Sequence, residues 1–269
     1  LYIIIRNTMG KDQTILFHST VFGPIHSRRL GVSLGINLMP ADGKVCSFDC
    51  LYCEAGYNSQ GKGEAGLPSR EKVAHDLREK LMQMRAEGVL PDVITFSGNG
   101  EPTLHPHFPQ IIDDTLRLRD ELAPDAKVSV LSNSTMIDRP GVVAALKKVD
   151  NNILKLDSAV EETMQLLDRP NRPGFTVKNV VEQLRQFSGN AIIQTLFVRG
   201  EHDGRKIDNT TPEEVDALID AYRKIQPREV MAYSIDRTTP EESLVKVPLE
   251  ELQEIARRIE AAGIPVQVN

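Results

Sequence analysis

Cys46, Cys50 and Cys53 are the only cysteines among 269 residues, and they fall within one eight-residue stretch, Cys46-Ser47-Phe48-Asp49-Cys50-Leu51-Tyr52-Cys53. An odd, clustered set is a poor disulfide framework, and the spacing C-x3-C-x2-C points instead to a metal. Three thiolates on one tight loop can hold three irons of a cubane. A [4Fe–4S] cluster ordinarily takes four cysteines, so the fourth iron would stay open for a small molecule to chelate. Zinc sites use paired C-x2-C knuckles or Cys/His sets of four, and no histidine lies within this loop. A structural zinc and a cluster without further chemistry remain the competing interpretations.

Other residue groups could complete such a site. Ser97-Gly98-Asn99-Gly100-Glu101-Pro102-Thr103 combines glycines, which let a backbone approach a ligand, with a carboxylate that could answer an ammonium. Alone it would be a tight turn. Ser132 and Asn133 could contact a ribose or merely close a strand with local hydrogen bonds. Lys155 and Asp157 alternate to one side of an extended segment, where paired charges suit a cofactor or substrate. Thr195 and Leu196 could flank a ligand or form plain core, and Tyr233 follows the same pattern on a later strand. Arg28, Arg29, Asn37 and Arg237 are candidates to meet substrate; an arginine pair binds phosphate or carboxylate well, but also serves as a solvated face.

These residues need elements to hold them. Strand candidates are Gly31–Leu38, Val93–Ser97, Lys127–Ser132, Ile153–Asp157, Ala191–Val198 and Glu229–Ile235, with a short closing strand at Val266–Val268. Between them, Val73, Leu77, Leu81 and Met84 share one face of a helix that Ser69 can cap and Gly88 can end. Phe108–Leu122, Gly141–Lys148 and the Val177–Phe187 run predict further helices. Thr211-Pro212-Glu213-Glu214 predicts a capping box, and a last helix starts at Pro248. Strands alternating with helices imply right-handed βαβ units and a parallel sheet. The fold class is therefore α/β, a partial (βα)6 barrel of the TIM type, with an open doubly wound sheet as the alternative. Ligands in such folds gather beyond the carboxyl ends of the strands, and each group named above follows a strand.

The totals bound what the chain can be. A net charge of −6 gives no basic face for nonspecific binding of polyanions, so nucleic acid is not indicated. No apolar run approaches the roughly 20 residues that cross a bilayer. With no targeting signal the expected location is the cytoplasm. Met9 is a candidate natural start, which sets residues 1–8 aside as an N-terminal extension. The expected organisation is an N-terminal segment, 1–21, followed by one barrel domain, 22–269.

At the cysteines, the x3–x2 spacing with Tyr52 before the third thiol resembles the signature of the radical SAM superfamily. The resemblance runs from about Phe22 to the C-terminus. Gly98-Asn99-Gly100-Glu101 resembles the superfamily's glycine–glutamate motif. Gly23-Pro24, Ser27-Arg28-Arg29-Leu30-Gly31, Asp168-Arg169-Pro170 and Asp236-Arg237-Thr238-Thr239-Pro240-Glu241 resemble a branch of iron–sulfur oxidoreductase-like proteins loosely grouped with wyosine-forming tRNA enzymes. The resemblance implies one [4Fe–4S] cluster on Cys46, Cys50 and Cys53. It also implies S-adenosylmethionine held by Tyr52, Gly98, Asn99, Gly100, Glu101, Ser132, Asn133, Asp157, Thr195, Leu196 and Tyr233. Reductive cleavage of that cofactor gives a 5′-deoxyadenosyl radical that abstracts hydrogen from a substrate. A small reductant protein of the flavodoxin or ferredoxin type is the implied partner. With all three cysteines used, a second cluster is not expected, which sets aside wyosine formation, auxiliary-cluster enzymes and methylthiotransferases. An activase that installs a glycyl radical on a partner, and a cluster-bearing electron carrier without turnover, are the alternatives.

Overall fold

A computed structural model describes residues 15–27 and 31–269, so Arg28 and Arg29 lie outside the described residues. The first half contains β1 (Val21–Ser27), β2 (Gly31–Ile36), α1 (Arg70–Ala86), β3 (Val93–Phe96), α2 (Phe108–Leu122), β4 (Lys127–Ser132), α3 (Pro140–Leu146) and β5 (Asn151–Lys155). The second contains α4 (Glu161–Leu167), α5 (Val177–Leu184), β6 (Ala191–His202), β7 (Arg205–Asp208), α6 (Pro212–Ile225), β8 (Glu229–Ser234), β9 (Val245–Lys246), α7 (Leu249–Ala261) and β10 (Val266–Val268). The chain is α/β with mostly parallel strands. Its contacts gather into two compact units, Leu16–Cys46 with Gly61–Ile153, and Ser47–Gln60 with Leu154–Asn269.

In the first unit β2, β3 and β4 run parallel, with Leu34, Ile94 and Val128 in register. All four residues of β3 are buried, as a strand covered on both faces requires. Helix α1 begins where the Ser69 side chain accepts the Lys72 N–H, and it buries Val73, Leu77, Leu81 and Met84. That is the face expected from the 3.6-residue period. Strand β1, which the sequence pattern does not predict, pairs antiparallel with β2 through a register shift between Phe22 and Ile25.

His105 lies at the start of the segment leading into α2. One ring nitrogen donates to the Pro68 carbonyl at 2.9 Å, and the other accepts the His107 N–H at 3.2 Å. This arrangement needs a neutral ring, and burial pushes the His105 pKa below its ordinary value. Below about pH 6.5 the unfolded chain takes up a proton that the folded ring resists, so stability falls as the pH drops through that range. Urea unfolding between pH 5 and 8 should show a slope that His105→Asn reduces. Equal slopes in the two proteins would contradict this assignment.

In the second unit β6, β8 and β10 run parallel. Strand β6 continues past the expected Val198 to His202, where β7 and β9 pair with it antiparallel. The Thr211 side chain caps α6 by accepting the Glu214 N–H. The reciprocal half of the expected capping box is not where Glu214 goes. Its carboxylate turns inward to the hydroxyls of Ser158 (2.6 Å) and Thr163 (2.5 Å), tying α6 to the segment after β5 and to α4. Helix α4 is a second element that the apolar period alone leaves unpredicted.

Candidate functional site

The glycine loop after β3 belongs to the first unit. Its backbone runs against Val45, whose N–H donates to the Asn99 carbonyl (3.1 Å) and whose carbonyl accepts the Glu101 N–H (3.1 Å). Gly98 and Gly100 have φ of +137° and +134°, where L residues are strained. A Cβ on Gly100 would sit 1.9 Å from the Val45 carbonyl oxygen. Gly100→Ala should therefore misplace the loop and fail to accumulate as soluble protein, or else melt well below wild type. An alanine variant with an unchanged thermal melt would contradict the reading of this contact.

Glu101 is 2 % exposed, and its carboxylate is a hub. One oxygen accepts from the Thr103 N–H (3.0 Å), the Thr103 hydroxyl (2.5 Å) and the Ser132 hydroxyl (2.9 Å), and the other accepts the Asn133 N–H at 2.6 Å. Burial raises its pKa, and the donated hydrogen bonds oppose that shift. Glu101, Ser132 and Asn133, far apart in sequence, are thus brought together. The Asn133 amide in turn donates to Cys46 Sγ at 3.6 Å, a polar contact on the first of the three thiols.

Asn37 and Asn99 have different places from those expected. Both are buried. The Asn37 amide donates to the carbonyls of Phe17 and Met39, while its oxygen accepts the N–H groups of Met39 and Asn99. Asn37 therefore braces the glycine loop through the Asn99 N–H. The Asn99 side chain closes a two-way bond with Phe17 (2.8 and 2.9 Å) and also donates to the Pro40 carbonyl (2.8 Å). Only the Asn99 backbone is left to line the loop.

The second unit carries Cys50, Cys53 and a buried charged group. Asp157 is fully buried. One of its oxygens accepts the Leu196 N–H at 2.9 Å; the other accepts from the Tyr52 hydroxyl and faces the Lys155 ammonium at 3.2 Å. Lys155 also donates to the Tyr52 hydroxyl and lies 4.5 Å from the centre of its ring. Lys155 and Asp157 do share a side, as alternation along β5 predicts. Burial works against the Lys155 charge, but Asp157 together with Cys50, Tyr233 and Asp168 outweighs it and holds the ammonium pKa well above its ordinary value. Burial pushes the Tyr52 hydroxyl up in the same direction, with Asp157 adding to the shift.

Asp168, absent from the expected site, belongs to this group. It is 1 % exposed, accepts from Cys50 Sγ at 3.6 Å and lies 3.5 Å from the Tyr52 hydroxyl. Burial, and then the neighbouring Asp157, raise its pKa well above the usual carboxylate range. The signal that could have found it is the Asp168-Arg169-Pro170 motif. Thr195 is buried, donating to the Leu156 carbonyl (2.7 Å) and lying 2.6 Å from the Tyr222 hydroxyl. Leu196 joins the core with Leu51, Leu167, Val198, Ile207 and Leu244, and Tyr233 packs against that cluster. Arg237 is apart from the group, on the surface, in a 2.5 Å ion pair with Glu54.

The donor set fits an iron–sulfur cluster in its chemistry: three thiols outside any disulfide, with an amide at one sulfur and a carboxyl at another. Among the described residues no helix is long and apolar enough to cross a membrane.

Comparison with known proteins bears on the fold and the family. A curated protein from Brachyspira hyodysenteriae named GTPase Obg is 29 % identical over 94 % of this chain and 35 % of its own length. A UPF0026 protein from Helicobacter pylori (strain J99) is 28 % identical over 81 % of this chain and 66 % of its own. The chain thus spans about a third of the first relative and about two thirds of the second. The fold resembles that of a radical SAM methyltransferase from Sphaerobacter thermophilus, with a TM-score of 0.63 at 14 % identity over 88 % of this chain and 65 % of that one. It also resembles SuiB of Streptococcus suis bound to S-adenosylmethionine, with a TM-score of 0.61 at 15 % identity over 87 % and 50 %. These likenesses place the fold among the partial barrels of that group. The superfamily's cofactors are a [4Fe–4S] cluster and S-adenosylmethionine. The radical SAM family model matches residues 42–203, a span holding the cysteines, the glycine loop, Lys155, Asp157 and Asp168, and the chain belongs to the radical SAM superfamily.

Proposed function

We propose that this chain is the catalytic barrel, residues 22–269, of a radical SAM enzyme, with Cys46, Cys50 and Cys53 as ligands of its single [4Fe–4S] cluster. The observation that carries this is the C-x3-C-x2-C loop inside the matched span, with polar partners at two of its sulfurs. When bound, the cluster and S-adenosylmethionine would supply the chemistry, reductive cleavage of the cofactor followed by hydrogen abstraction from substrate.

The chain's own residues bind and orient. Gly98 and Gly100 leave the backbone open to close approach, and Glu101 presents a buried carboxylate for the cofactor's amino group. Ser132, Asn133, Asp157, Tyr52 and Tyr233 are further cofactor contacts. Asn99, Thr195 and Leu196 complete the proposed cofactor-binding set. Lys155 is the substrate-side candidate with a charge held in place; Arg28 and Arg29 are the others. A small reductant protein delivers the electron, and the cytoplasm is the proposed setting.

The test is anaerobic reconstitution with iron and sulfide, followed by S-adenosylmethionine and dithionite, with 5′-deoxyadenosine read by chromatography. Its formation is expected. Iron loading without 5′-deoxyadenosine would overturn the enzymatic reading in favour of an electron carrier. A stable glycyl radical in a partner protein would favour the activase.

A further inference from the structure

The cysteine loop is paired along its length with a segment more than a hundred residues later. The Leu51 N–H donates to the Leu167 carbonyl (3.0 Å), the Asp49 N–H lies between the carbonyls of Asp168 (3.1 Å) and Arg169 (3.2 Å), and the Asn171 N–H donates to the Ser47 carbonyl (2.9 Å). Side chains reinforce the pairing. The Arg169 guanidinium lies 3.4 Å from the Asp49 carboxylate and 5.2 Å from the centre of the Tyr57 ring. The other Asp49 oxygen accepts the Asn58 N–H at 2.6 Å, which closes the loop on itself.

Two features go beyond a backbone brace. Arg169 holds a φ of +47°, a left-handed conformation that a non-glycine residue keeps only where its surroundings over-determine it. The Asp168 side chain takes no part in the backbone pairing. It points at Cys50 Sγ and the Tyr52 hydroxyl, one thiol and the residue immediately before another. Bracing alone would be served by any residue at 168. A buried carboxyl aimed at sulfur needs a different account, because burying such a group is unfavourable unless its contacts repay it.

We infer that Asp168 is a positioning residue for the cluster, fixing the Cys50 sulfur and the Tyr52 ring through the Leu167–Asn171 turn. This rests on the proposed ligand role of Cys50. Residues that hydrogen-bond a metal ligand orient it and tune the metal, and their loss costs about 10–100-fold in metal affinity or activity. An iron-bound Cys50 has no proton to give, so in the loaded protein the hydrogen of this contact comes from the Asp168 side chain, and hydrogen bonds to cluster sulfurs also set reduction potential. Asp168 acts through Cys50 and touches neither cofactor nor substrate in this scheme.

The experiment compares full-length wild type, Asp168→Ala and Asp168→Asn after anaerobic reconstitution. Readouts are iron retained against a chelator, and the cluster's midpoint potential from an EPR-monitored redox titration. Asp168→Ala is expected to hold iron about tenfold more weakly and to have a shifted midpoint. Asp168→Asn, which keeps the shape and a hydrogen-bonding group, should restore both toward wild type. Should the alanine variant fail to fold, the asparagine variant still tests the idea against Asp168→Leu, which fills the space without the polar contact. Wild-type iron retention and midpoint in the alanine or leucine variant would overturn the inference, as would an asparagine variant no better than either. A wild type that loads no cluster would instead overturn the ligand assignment beneath it.

Discussion

Cys50→Ser is expected to abolish cluster binding and S-adenosylmethionine cleavage while leaving the fold intact. The Cys50 side chain is buried, and its sulfur donates to Asp168. A serine hydroxyl is smaller but can donate to the same carboxyl, so the hydrogen bond survives and the cavity is slight. What is lost is a soft thiolate, which an alkoxide does not replace on iron at neutral pH. Far-ultraviolet circular dichroism and the thermal melt should match those of the apo wild type. Iron content and 5′-deoxyadenosine should fall to background. A serine variant that retains full iron and full cleavage would remove Cys50 from the ligand set.

Asp157→Ala should give the largest loss of stability in the second unit. Lys155 meets the Asp157 carboxylate in an ion pair at 3.2 Å, and just 16 % of its side chain is exposed. Removing one partner of a buried pair costs about 3–5 kcal/mol, because the other charge is left uncompensated. The Leu196 N–H would also lose its acceptor. Lys155→Met should cost less, since Asp157 keeps the Tyr52 hydroxyl and the Leu196 N–H. Equilibrium urea unfolding would show the order. If the methionine variant were the less stable of the two, the assignment of Asp157 as the organising group would fail.

Much of the scaffold was legible because its elements carry strong periodicity. The buried face of α1 is the 3.6-residue stripe of Val73, Leu77, Leu81 and Met84, and Ser69 caps it as its type and place require. Strands β3 and β4 read as short, β-branched runs. Where local pattern was weak, tertiary structure decided. In β1 a Gly-Pro pair interrupts the run, and pairing with β2 overrides that local signal. Strand β6 extends through Gly200 because β7 and β9 pair with its far end.

The site divides along the same line. Residue type and spacing identify the cysteines, the glycine loop and the Lys155–Asp157 alternation. They do not say which way an amide points. Asn37 and Asn99 are polar residues beside a glycine loop, which in sequence resembles a ligand site. In the structure their amides satisfy backbone groups at Phe17, Met39 and Pro40. Asp168 was hidden for the opposite reason: the Asp168-Arg169-Pro170 motif marks the residue, but its Cys50 and Tyr52 partners lie more than a hundred residues upstream, so the sequence does not say what it meets.

The bond between Asn99 and Phe17 spans 82 residues of sequence, and Phe17 also stacks on Phe22 with ring centroids 3.8 Å apart. Proteolytic nicking just ahead of β1 would therefore act at a distance. It would strip two hydrogen-bonding partners from a buried amide and one from Asn37, leaving polar groups stranded beneath Gly98–Glu101. A short stretch of chain that carries no candidate ligand thus sets the rigidity of the loop that does.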